Sequence, residues 1–173
     1  MPTAVGSRGR LAVLGVVVAV AAGAGFLLVE PHLTSASRNA ACGVPFAERI
    51  DPRSSQHLLP DAPEPPYITN PPTSGAHKPG LHPTGVLRQP IERPVQVSML
   101  ESGEVLAQYN GLSAAEVGRL QAVAGDHLSV APNPTIDEPI VVTAWLWKMT
   151  CSRVDMKALR DFVSAHRLEA PTH

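Results

Sequence analysis

Seven histidines, fifteen carboxylates and two cysteines are the side chains of this 173-residue chain best suited to ligating a metal or moving a proton. Three of the histidines, His57, His77 and His82, fall in one proline-rich stretch. Neutral imidazole binds transition metals through a ring nitrogen, and a loop stiffened by proline presents several such ligands at little entropic cost. Met99, Met149 and Cys151 are soft donors of the kind that Cu(I) takes. The ordinary fate of such residues is different. Loop histidines are mostly exposed or hydrogen-bonded, and methionines on apolar faces fill cores. G-x-S-x-G, H-E-x-x-H and C-x-x-C are absent, and no Gly-rich loop joins a strand to a helix. Ser98, Ser102, Glu101 and His77 offer the residue types of a hydrolytic triad without a nucleophile elbow or an oxyanion-hole pattern. We therefore expect no catalytic activity.

The most distinctive local pattern is Tyr67-Ile68-Thr69-Asn70-Pro71-Pro72-Thr73-Ser74-Gly75-Ala76-His77. Two prolines, small hydroxyls and a glycine fix a tight turn, and that turn sets the angle of His77. The segment resembles a bacterial family known as domain of unknown function 3105, whose members carry one N-terminal span and an exported domain with a PPTSG-x-H turn. His57 lies where the family often has a histidine, upstream of its Y-x-x-x-P-P element. Val97-Ser98-Met99-Leu100-Glu101-Ser102-Gly103 falls where the family shows V-H-S-L-E-H-G. Val141-Val142-Thr143-Ala144-Trp145 matches its late strand, and Phe162 lies in its final helix. The likeness covers about residues 42–167. It implies a metal or polar site built from the histidine after the proline turn and from two histidines flanking the glutamate. Here those two are Ser98 and Ser102, so only His77 and Glu101 are kept, and serine hydroxyls are weak ligands for divalent transition metals. The set that remains is His57, His77 and Glu101, with His82 in reserve, for copper or zinc. Glu101 has a second reading, as a turn carboxylate that caps nearby backbone N–H groups.

Whatever positions these residues must be small. The length allows one modest domain plus appendages. Lys and Arg total 14 against 15 Asp and Glu, for a formal net charge of −1. No surplus of positive charge seeks phosphate backbones, so we expect no nucleic-acid partner.

Leu11 to Val29 reads LAVLGVVVAVAAGAGFLLV, nineteen residues without a charge. As a helix it would be about 28 Å long, close to the thickness of a bilayer's hydrocarbon core. Arg8 and Arg10 precede it and Glu30 follows. The positive-inside tendency places residues 1–10 in the cytoplasm and the rest outside the cytoplasmic membrane. A cleaved signal peptide would have a shorter apolar region and a small-x-small site close behind it. A lipoprotein anchor at Cys42 is disfavoured by Asn39 and by the apolar stretch ending well upstream. We expect a retained single-pass anchor. Gly15, Ala19 and Gly23 share one face of that helix, where small residues would let two spans pack as a homodimer. The rival reading is that such spacing arises by chance in an Ala- and Gly-rich stretch.

Residues 30–41 read as a polar stem. Twelve of the eighteen prolines lie between Pro45 and Pro94. That density excludes a long helix or central strand and predicts an extended wrap pinned by Leu58, Leu59, Tyr67, Ile68, Val86, Leu87 and Ile91. Beyond Pro94, Val95–Val97 and Val105–Tyr109 read as two strands with a hairpin turn at Ser102-Gly103. Ser113-Ala114-Ala115-Glu116 is a capping box that opens a helix. Leu128–Ala131 is a short strand, and Ile140–Trp147 a longer one. Asp155 caps a last helix with Met156, Leu159, Phe162 and Val163 on one face. The expected fold is α+β: an N-terminal transmembrane helix, a proline-rich wrap, and a small antiparallel sheet with two helices on one side. The exported domain spans 42–167, and 168–173 form a polar tail.

Cys42 and Cys151 stand near the two ends of that domain. In an oxidising compartment a lone pair predicts one disulfide, with free thiols or two metal ligands as the alternatives. Taken together, these features predict a membrane-anchored, extracytoplasmic, non-catalytic binding or assembly module of the cell envelope. The alternative is a metal-handling protein for copper or zinc that uses His77 and its neighbours.

Overall fold

A computed structural model of the chain describes residues 40–125, 127–169 and 171. The expected span over 11–29, its Gly15/Ala19/Gly23 face, the preceding residues 1–10 and nearly all of the stem lie outside the described residues. Among the described residues no helix is long and apolar enough to cross a membrane.

Five strands form one sheet in the order β1-β5-β4-β2-β3, where β1 is Phe46–Ala47, β2 Val105–Tyr109, β3 Leu128–Pro132, β4 Ile140–Ala144 and β5 Trp147–Cys151. Three helices accompany it among the described residues: α1 Arg93–Glu101, α2 Ala114–Gln121 and α3 Met156–His166. The α+β class matches expectation. The sheet, however, is mixed rather than antiparallel. β2 and β3 run parallel, in register from Val105↔Leu128 to Tyr109↔Pro132, because α2 carries the chain back between them.

Alternation sorts the side chains onto two faces. Val105, Ala107, Ile140, Val142, Met149 and Cys151 join Leu120 of α2 and Leu159 and Phe162 of α3 in one core. Leu106 and Trp145 join Val97, Met99 and Leu100 of α1 in a second. The two expected helices thus share a face, as read, and a third helix with the wrap covers the other. The expected caps form. Ser113 accepts from the Glu116 amide while the Glu116 carboxylate accepts from the Ser113 amide. Asp155 accepts from the amides of Lys157 and Ala158.

Two sequence readings are corrected. Val95–Val97 is not a strand: residues 93–101 are helical, with Pro94 in the first turn, where a missing N–H costs nothing. Ser102-Gly103 is then a helix terminus and not a hairpin turn, and Gly103 takes φ 87° just past the C-cap. Ile140–Trp147 is not one strand but a hairpin. Ala144 pairs with Trp147 across a two-residue turn, in which Leu146 takes φ 61°. The wrap holds that turn from both sides: the Glu48 amide donates to the Leu146 carbonyl, and the Leu146 amide donates to the Thr73 carbonyl.

The wrap also closes the sheet. β1 covers the β5 edge, and Val86 bridges to Val130 on the β3 edge through Leu87 N–H to Val130 O and Val130 N–H to Gly85 O. Each edge is thus covered in part by the wrap. Cys42 and Cys151 form the disulfide. They face each other as an antiparallel pair between the Gly43 N–H···O Thr150 and Ser152 N–H···O Ala41 hydrogen bonds, with Cα atoms 3.9 Å apart. Such non-hydrogen-bonded pairs bring Cα atoms closest in an antiparallel ladder. A bridge across 109 residues contributes about 4–5 kcal/mol in the chain-entropy model.

Candidate metal centre

Residues 51–57 make the first wall of the site. Asp51 is buried and accepts from the Arg53 amide and from both Nε and Nη2 of the Arg53 guanidinium. That guanidinium holds the carboxyl below its ordinary range. The Asp51 amide donates to Ser74 Oγ, and the Ser54 hydroxyl donates to the Asp51 carbonyl. One short turn is therefore tied to the proline turn that carries His77.

Two backbone hydrogen bonds complete the link. The His77 amide donates to the Gln56 carbonyl at 3.0 Å, and the Leu58 amide donates to the His77 carbonyl at 2.7 Å. This parallel bridge sets His57 beside His77, with ring centroids 4.9 Å apart and planes 71° apart. The proline turn itself contains a cis Asn70–Pro71 bond. It is packed from outside by Tyr67, whose hydroxyl donates to the Ala76 carbonyl at 2.6 Å and whose ring lies under the Arg93 guanidinium. Burial pushes the Tyr67 phenol well above its ordinary pKa.

Glu101 is the last residue of α1, and its Oε2 lies 2.6 Å from His77 Nε2. His77 is fully buried, Glu101 is 17% exposed at its side chain, and His57 is exposed. One ligand atom from each lies within 4.8 Å of the others. Donors sharing one tetrahedral ion stand about 3.3 Å apart, so small side-chain rotations would bring this group onto a common centre.

The protons on His77 decide what the group does chemically. Its Nδ1 is 3.0 Å from the Gly75 carbonyl, which only accepts, so Nδ1 carries the N–H. In the neutral ring Nε2 then presents a lone pair to the Glu101 carboxylate. The two atoms stand at ion-pair distance, and Nε2 is buried. Either a proton on Nε2, donated to the carboxylate, or a metal cation bound to both atoms satisfies this contact, and the two compete for the same place. A histidine whose second nitrogen donates to a backbone carbonyl is the usual arrangement behind a metal ligand.

The structure places His82 apart from this group. Its Nε2 lies 3.1 Å from the Lys78 carbonyl and 3.0 Å from Ser98 Oγ. The carbonyl requires a donor, so Nε2 holds the proton, and the Ser98 hydroxyl meets no general base there. The Ser102 hydroxyl donates to the Met99 carbonyl. The soft donors named from sequence are occupied elsewhere: Met99 and Met149 are buried in the two cores, and Cys151 is in the disulfide. Sequence reading missed Asp51 as part of the site's frame, while Tyr67 stood at the head of the pattern it singled out. The signal for Asp51 was present, since Asp followed by Pro opens a turn.

A family model described as "Protein of unknown function (DUF3105)" matches residues 63–173. The match contains His77 and Glu101 and begins after His57. No curated protein and no solved structure matches the chain. With its proline turn, its α+β sheet and this matched range, the chain belongs to the DUF3105 family.

Proposed function

We propose that the domain is a non-catalytic metal-handling module of the cell envelope, binding zinc or Cu(II) through His57, His77 and Glu101. The observation that carries this reading is the buried His77 Nε2, set against a carboxylate by an imidazole whose other nitrogen is already committed to Gly75. Two imidazoles and a carboxylate form a borderline donor set suited to Zn(II) and Cu(II). With both buried methionines and the cysteine engaged elsewhere, Cu(I) has less support. The apolar run over 11–29 and the disulfide support the extracytoplasmic, membrane-anchored setting.

The test is a titration of the full chain, purified in detergent and stripped of metal by chelation, with Zn(II) and Cu(II) in a calorimeter. One equivalent binds far more tightly than millimolar, and His77→Ala and His57→Ala both weaken it. Because His57 is exposed, His57→Ala keeps the test independent of folding. Binding no tighter than about millimolar, or binding indifferent to both substitutions, overturns the reading.

A further inference from the structure

We infer that the metal ion at this centre keeps one coordination position open to solvent and fills it with a small exchangeable monoanionic donor; this rests on the metal reading above. The protein supplies three donors among the described residues. Tetrahedral ions take a fourth ligand, and a three-ligand protein site leaves that position to water or to an incoming molecule. The nearby side chains are engaged elsewhere. The Ser102 hydroxyl donates to the Met99 carbonyl, Ser98 meets His82, and His82 Nε2 donates to the Lys78 carbonyl.

Burial gives the open position a direction. His77 is fully enclosed, Glu101 is mostly covered and His57 is exposed. The three donors thus form a cup with a dry floor and a wet rim. Charge gives the incoming ligand its class. Two neutral imidazoles and one carboxylate leave a divalent ion with one formal positive charge, which a monoanion such as hydroxide or a carboxylate neutralises.

The probes are Co(II) as the metal and azide as the monoanion, both with the detergent-solubilised full chain. Co(II) binds in one equivalent with visible absorption bands, and azide shifts those bands in a saturable way. His82→Ala leaves both the Co(II) spectrum and the azide response unchanged. A Co(II) spectrum that forms but does not move with azide overturns the open position and leaves the metal reading standing. A spectrum altered by His82→Ala makes His82 the fourth ligand, with the same consequence. No Co(II) binding at all overturns the metal reading and this inference together.

Discussion

Gly75 and the Tyr67 ring pack so closely that a Cβ on the glycine would lie 2.8 Å from Tyr67 Cε1 and 2.9 Å from Cδ1. Gly75 also takes φ 134°, a conformation that side chains of L-residues rarely adopt. The same residue offers the carbonyl that fixes the His77 tautomer. Tyr67, Gly75 and His77 are therefore one mechanical unit, in which the aromatic ring presses the turn and the turn aims the imidazole.

Gly75→Ala should cost about 2–4 kcal/mol of folding stability, the sum of backbone strain and overpacking. Denaturant unfolding measures this. Under conditions where the variant is still folded, its zinc affinity should fall as well, since the His77 ring loses its anchor.

Lys148 and Glu48 form an ion pair at 2.7 Å with little of either side chain exposed, and the Thr73 hydroxyl donates to the second Glu48 oxygen. Removing one charge strands the other. Lys148→Met should cost about 3 kcal/mol or more. The double variant Glu48→Met/Lys148→Met should be more stable than the sum of the two single losses predicts, by at least about 1 kcal/mol. A double-mutant cycle on unfolding free energies reads the coupling; additive losses would show that the pair is not a unit.

Acid should loosen the first wall of the site. Arg53 depresses the folded pKa of Asp51 below its ordinary 3.8. A depressed carboxyl contributes stability that is present above the unfolded pKa and lost as pH falls through the folded one. Wild type should therefore exceed Asp51→Asn in stability at neutral pH, with the gap closing as pH drops below about 4. Unfolding curves of both proteins across that range check the sign; a gap that widens in acid contradicts it.

Much of this architecture was legible from residue order. The Ser113 and Asp155 caps, the Cys42–Cys151 bridge and the convergence of His57, His77 and Glu101 are all where the sequence suggested. Caps are local and carry their own hydrogen-bond logic, so tertiary context seldom overrides them. What failed was periodicity in fully buried segments. In α1, Pro94 and residues 96–100 are all buried, so no apolar stripe distinguishes helix from strand, and two valines two apart read as alternation. The β4–β5 turn carries Trp145 and Leu146 instead of glycine or asparagine. The wrap's hydrogen bonds, contributed from about seventy and a hundred residues away, hold Leu146 in a conformation that its own type disfavours. The Asp51–Ser74 contact, spanning 23 residues, was out of reach for the same reason.

The bridge between Cys42 and Cys151 encloses the wrap, α1, α2 and all five strands within one covalent ring. A protease that cuts any exposed bond inside that ring opens it without liberating a fragment. The nicked molecule keeps its mass until a thiol reductant is added, and only then separates into two pieces. Such a ring makes the first cleavage survivable.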